Sequence, residues 1–285
     1  MRPAAAASTE PFPRAFFHAL AALSRRRWLV RGGERTAAAR GFAQHGGERR
    51  PWRPGEPLRA VDWRAAARRE TGLWVRERER ERGGRLVVLL DRSASMTPGD
   101  EPWRDLASRR LAFAAASLAL EEGARVELHH QDGIPLRIAG VGRSARLRAL
   151  LEGLPPPAGL GAALPALRPG GDLLVLTDPW LPDPTWWDLA TLAPRQRSCR
   201  VVFLTLRREA APPAEALELV DAEAGRMLPV DLRDARRARR AHDVHLRSLL
   251  QRAARDRIQA AVLVADPPAG GPAALLRHAH AAGVL

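Results

Sequence analysis

A chain of 285 residues, 46% of them hydrophobic, can bury one substantial core and a smaller second module, and its composition is that of a globular protein. The net charge is +14 and the chain contains no lysine, which excludes both a lysine-dependent phosphate-binding loop and Schiff-base chemistry. The single cysteine, Cys199, excludes an intramolecular disulfide and any zinc cluster built from several cysteines.

Residues 1–13, rich in Ala and Pro, predict a disordered tail, and residues 14–28 a short amphipathic helix. The stretch 15–23 does not read as a signal peptide, because His18 interrupts it and Arg25, Arg26 and Arg27 follow on the wrong flank. No apolar run reaches the roughly 18 residues of a membrane span, so a soluble, cytoplasmic protein is expected. Residues 29–84, rich in Arg, Gly, Pro and Trp, predict a small β module; in its Arg-Glu alternation at 76–82 a strand would carry all arginines on one face.

At residue 85 the character changes. Residues 86–90 form a run apolar on both faces, which suits a central strand covered by helices on each side. A helix is expected over 103–122, a strand over 125–130 and a helix over 144–153. Buried strands follow at 173–176 and 201–206, separated by a short helix at 185–193. A hairpin over 217–230, a long Arg-rich helix over 231–256, a strand over 260–264 and a helix over 271–282 complete the chain. Strands alternating with helices predict an α/β fold with a doubly wound, mainly parallel sheet over residues 85–285.

In open α/β sheets, ligands sit beyond the carboxyl ends of the strands. Two buried runs end in aspartate there, Asp91 and Asp178, and the first loop adds Ser93 and Ser95 at alternate positions. A hard cation such as Mg²⁺ wants about six oxygens and keeps several waters. Asp91, Ser93, Ser95 and Asp178, supplemented by water, match that demand. The competing reading is a capped strand-to-helix loop whose hydroxyls bond local amides.

The segment Leu89-Leu90-Asp91-Arg92-Ser93-Ala94-Ser95-Met96 resembles the metal-ion-dependent adhesion site of von Willebrand factor A-like domains. Upstream, Arg50-Pro51-Trp52-Arg53-Pro54-Gly55-Glu56-Pro57-Leu58-Arg59-Ala60-Val61-Asp62-Trp63 resembles the signature of domain-of-unknown-function family 58, with Trp52 in place of a Tyr and Glu56 in place of an Asp. The resemblance implies a protein encoded beside a MoxR-type AAA+ ATPase, with that ATPase or its client as partner in chaperone-like assembly or maturation of complexes. It also implies a threonine ligand from a second loop. This chain has no Thr between Pro98 and Leu176, and Gly159-Leu160-Gly161-Ala162-Ala163 occupies the matching region, so weak metal affinity is expected.

Other features carry blander readings. Asp62-Trp63 suits either a docking surface or a packed Trp beside a paired Asp. His242 and His245 lack a carboxylate at a zinc-binding spacing and are expected at the surface. Trp180, Trp186 and Trp187 suit either a rim beside the loop or a lid on the sheet. No nucleophile stands beside a base, so a non-enzymatic interaction module is expected. The alternatives are a nucleic-acid-associated protein using its arginines, which requires steep salt dependence, and a metal-dependent hydrolase built on Asp91 and Asp178.

Overall fold

Three apolar runs that the sequence places far apart become neighbouring strands. The computed structural model describes residues 9–32, 49–51, 73–76, 84–98, 102–130, 135–140, 142–154, 164, 167–210, 218–220, 227–229, 232–266 and 271–285. Residues 1–22 with 84–285 make one compact unit, and residues 23–83 a second.

Helix α1 spans Arg14–Gly32. In the second unit β1 (Arg49–Pro51) and β2 (Trp74–Arg76) pair antiparallel, Arg49 opposite Arg76 and Pro51 opposite Trp74. Arg76 thus closes a strand, while residues 77–82 and the signature residues 52–63, including Asp62 and Trp63, lie outside the described residues.

The larger unit continues with β3 (Arg85–Leu90), α2 (Trp103–Glu121), β4 (Arg125–His129), β5 (Leu136–Ile138), α3 (Ser144–Glu152), β6 (Asp172–Thr177) and α4 (Asp183–Leu192). It then runs through β7 (Ser198–Thr205), the single turn α5 (Arg207–Ala210), the hairpin β8 (Glu218–Val220) and β9 (Met227–Pro229), α6 (Leu232–Arg255), β10 (Gln259–Val264) and α7 (Gly271–Ala281). The main sheet has the order β10-β7-β6-β3-β4-β5, and every pairing is parallel except β4 with β5. The fold is therefore α/β, with a six-stranded, mainly parallel sheet flanked by helices. The edge strand β5 has no counterpart in the sequence reading.

Side chains alternate across each strand. Val87, Leu89, Leu173, Val175, Val201 and Phe203 face one core, closed by Trp186 and Leu189 of α4 and Leu249 and Ala253 of α6. The intervening residues, Val88, Leu90, Leu174, Leu176, Val202 and Leu204, are equally buried toward the opposite face, where α2 and α7 pack. This two-sided burial is the physical reason the runs lack polar alternation. Helix α2 ends at Gly123, whose φ of +80° lets the Ala124 amide return to the Ala119 carbonyl at 2.8 Å.

Residues 9–13, expected as part of a disordered tail, are packed. Phe12 and Phe16 are buried against Phe113 of α2, and Arg110 donates to the carbonyls of Glu10 and Pro11 at 2.7 Å each. Among the described residues no helix is long and apolar enough to cross a membrane.

Candidate functional site

The strand order reverses between β3 and β6. The chain leaves β3 toward β4 and β5 on one side, and builds β6, β7 and β10 on the other. A crevice opens at such a switch point, outside the carboxyl ends of the two strands. Leu90 is paired with Leu176, so Asp91 and Thr177 come next in register, and the Asp91 amide donates to the Leu176 carbonyl at 2.9 Å. The Thr177 hydroxyl donates to Asp91 Oδ2 at 2.5 Å, and Asp178 follows directly.

The loop after β3 is tightly held. The Ser93 amide donates to Asp91 Oδ1 at 2.9 Å, and the hydroxyls of Ser93 and Ser95 meet at 2.9 Å. Residues Ala94–Met96 form one 3-10 turn. Arg92 turns inward, its Nε 3.3 Å from Asp105 Oδ1, and Asp105 also accepts from Arg109 Nε at 2.7 Å. Arg109 in turn donates to the Leu151 carbonyl at the end of α3, at 2.6 Å. The serine-bearing turn is therefore fastened to two helices while both serines stay partly exposed.

Asp178 is the strained member of the group. Its Oδ1 accepts the Trp180 amide at 2.8 Å, but Oδ2 is buried without a hydrogen bond of normal geometry. The nearest cation is Arg104, whose Nη1 lies 3.9 Å from Oδ2. Burial raises the Asp178 pKa above its ordinary value of 3.8, and the negative charge of Asp91 pushes the same way; the Ser95 hydroxyl, Arg104 and the Trp180 amide pull it back. A raised carboxylate pKa favours the neutral form in the folded state. Its stabilising contribution is complete below the unfolded value and disappears as pH rises through the folded one. Asp178→Asn is therefore expected to raise the urea midpoint near neutral pH in chelator, and to flatten the loss of stability as pH rises above the ordinary carboxylate value of 3.8. An unaltered pH profile in the variant would refute this account of the carboxylate.

Two side chains that sequence reasoning missed complete the surroundings. Arg104, in the first turn of α2, donates from Nε to the Leu204 carbonyl at 3.0 Å and from Nη1 to the Ser95 carbonyl at 2.6 Å, and its Nη2 pairs with Glu209 Oε1. Glu209 also accepts the Leu206 amide at 2.8 Å. Three strand ends, those of β3, β6 and β7, thus converge on one guanidinium. No local signal marked them: the first turns of α2 carry Arg104, Asp105, Arg109 and Arg110 together, and only the packing shows which of them is buried against the strand ends.

The histidines of α6 correct the sequence reading. His242 is buried, and the His245 Nε2 lies 2.7 Å from the Pro179 carbonyl while its ring stacks on Trp180. They begin the inward stripe that Leu249 and Ala253 continue, so the spacing that would bring them onto one helix face points them at the sheet and not at solvent. The tryptophans divide. Trp186 is a core residue whose Nε1 donates to Asp256 at 2.8 Å, while Trp180 and Trp187 are exposed.

Asp91, Ser93, Ser95 and Asp178 are thus brought together at the ends of β3 and β6, whereas residues 159–163 of the second loop lie outside the described residues. Among the described residues no three His, Cys, Asp or Glu side chains cluster as metal ligands. A cation here would depend on two carboxylates, hydroxyls and water. Cys199 is buried and its thiol is pushed up to about 12, which leaves it inert.

Fold and site together define an α/β protein whose two central strands, at the switch point of the sheet, end in neighbouring acidic and hydroxyl side chains. The family model described as "Protein of unknown function DUF58" matches residues 48–248, and the chain belongs to that family. Among solved structures, it is similar to the conserved hypothetical protein BatB from Bacteroides thetaiotaomicron, at 14% identity and a TM-score of 0.40, over 70% of this chain and 99% of that one. It is also similar to an aerotolerance-related membrane protein from Bacteroides fragilis NCTC 9343 carrying multiple mutations to serines, at 13% identity and a TM-score of 0.40, over 71% of this chain and 100% of that one. No curated protein matches the chain.

Proposed function

We propose that this protein is a non-enzymatic, metal-dependent interaction module of the von Willebrand factor A-like kind. Asp91, Ser93, Ser95 and Asp178 hold Mg²⁺ or another divalent cation, directly or through water, and a carboxylate of the partner completes its coordination. The partner is a MoxR-type AAA+ ATPase or its client, in chaperone-like assembly or maturation of complexes, as the family resemblance suggests.

The observation that supports the cation is Asp178 Oδ2, buried beside a second buried carboxylate with no hydrogen bond of normal geometry and only the Ser95 hydroxyl and the Arg104 guanidinium to offset its charge. Two adjacent buried carboxylates repel one another, and a divalent ion between them reverses the sign of that interaction. The serine hydroxyls, hard oxygen donors 2.9 Å apart, lie on the same loop. The non-enzymatic reading rests on how the carboxylates are engaged: Thr177 donates into Asp91, and the Arg104 guanidinium lies beside Asp178.

A cation at about ten times its dissociation constant adds about 1.4 kcal/mol to folding stability, which for a domain of this size raises the melting midpoint by about 3–6 °C. Mg²⁺ or Mn²⁺ is expected to produce that shift in the wild type and none in Asp91→Asn, which removes the charge and keeps one of the two oxygen acceptors that Ser93 and Thr177 use. Midpoints that ignore Mg²⁺, Mn²⁺ and Ca²⁺ alike would eliminate the cation. Co-purification of the same ATPase with and without EDTA would eliminate the metal-dependent partner.

A further inference from the structure

Trp180 is held as a platform where a core tryptophan would be tucked away. Its amide is fixed to Asp178 Oδ1 at 2.8 Å, and its indole Nε1 points at Glu209 Oε1 at 3.5 Å. One ring face lies on His245, with centroids 4.5 Å apart and planes 7° from parallel. His245 is itself anchored on the Pro179 carbonyl. Yet Trp180 remains 49% exposed, so the ring face away from His245 is open to solvent. Leaving that apolar face in water is unfavourable, and a rigid aromatic anchor of this kind is characteristic of a binding rim.

The platform adjoins the cation crevice through a continuous chain of contacts. Glu209 touches both Trp180 and Arg104, and Arg104 touches the Ser95 carbonyl and approaches Asp178. On the other side of Glu209, Arg207 and Arg208 are exposed, and Arg208 reaches the Pro98 carbonyl just past the serine turn at 3.3 Å. Beside the strand ends there is therefore one flat apolar surface, with the Arg208 guanidinium reaching the end of the serine turn and Arg207 exposed next to it in sequence.

We propose that Trp180 selects the partner by packing a bulky apolar residue next to the carboxylate that enters the crevice, with Arg207 and Arg208 favouring an acidic segment. The ligand class is an acidic protein segment in which an Asp or Glu adjoins a Leu-like side chain. This rests on the cation reading above and adds the specificity that the crevice alone lacks. Burying part of a leucine on the open ring face corresponds to about a tenfold gain in affinity.

The test uses labelled hexapeptides with one aspartate flanked by leucine or by serine, the same peptides with asparagine in place of aspartate, and a labelled single-stranded oligonucleotide. Each is titrated by fluorescence anisotropy against the full chain, in excess Mg²⁺ and in EDTA. The wild type is expected to favour the leucine-flanked acidic peptide about tenfold over the serine-flanked one. Trp180→Ser should reduce that preference to within about twofold while the serine-flanked peptide still binds in a Mg²⁺-dependent way; Trp180→Phe should keep most of the preference, which guards against a folding artefact. A leucine preference unchanged in Trp180→Ser, or binding of none of the peptides, overturns the proposal. So does Trp180-dependent binding of the oligonucleotide in place of the peptides. A Trp180-dependent leucine preference that persists in EDTA and with asparagine upholds the platform and sinks the cation reading instead.

Discussion

Arg104→Met is expected to destabilise the protein by about 3–5 kcal/mol, a large part of the total stability of an ordinary domain. The side chain is only 2% exposed, and methionine fills much of its volume, so the cost is electrostatic and not a cavity. Removing the guanidinium leaves Glu209 and Asp178 without their cation and strips the carbonyls of Leu204 and Ser95 of a donor. Buried acceptors and charges stranded in this way cost far more than the intact interactions contribute. Arg104→Lys should recover only part of the loss, since a single ammonium cannot span four acceptors arranged around a planar fork. The diagnostic experiment is a double-mutant cycle by urea unfolding. If stranded charge is the cause, Glu209→Gln should cost the wild type stability but return some to Arg104→Met. Strict additivity, or a loss under about 1 kcal/mol in the single variant, would show that the three strand ends do not depend on this residue.

The contrast between Asp91 and Arg104 shows what the chain order reveals and what it conceals. Asp91 and Asp178 were legible because each lies at the end of a run apolar on both faces, Asp91 directly and Asp178 after Thr177, and such a run identifies a central parallel strand and so the end at which ligands gather. The helices were legible to within a few residues for the same reason: α6 carries its apolar stripe at helical spacing through Leu249 and Ala253. Strand order is a property of packing and leaves no local trace. Nothing in residues 86–90 and 173–176 says that these two strands are neighbours, and Asp91 and Thr177 meet only because they are. The edge strand β5 is three residues long, too short for an alternation to register. Arg104 and Glu209 were invisible because one arginine among so many has no distinguishing mark until α2 buries it. His242 and His245 were misread because a histidine pair on a mixed helix gives no sign of which face meets the sheet.

Phe113→Ala is expected to cost about 3–5 kcal/mol, and to do so without touching the crevice. Phe113 is the hub of an aromatic cluster: its ring lies 5.0 Å from Phe12, 5.8 Å from Phe16 and 5.7 Å from Phe17, the last edge-on at 87°. Four of the six phenylalanines in the chain are gathered there. Truncation would remove the transfer free energy of one ring and leave Phe12 and Phe16 facing a void. The polar contacts of Arg110 with the carbonyls of Glu10 and Pro11 are too few to hold the segment alone. Amides of residues 14–22 should therefore exchange hydrogen faster in the variant, by a larger factor than those of β3 and β6. Because Arg104 stands on the same helix about 13 Å away along its axis, the variant also asks whether the N-terminal segment merely covers α2 or sets its position. Retention of the wild-type Mg²⁺-induced rise in melting midpoint, on a lower baseline, would mean that the segment is a covering; loss of that rise with intact β3 and β6 protection would make it part of what aligns Arg104 with the strand ends.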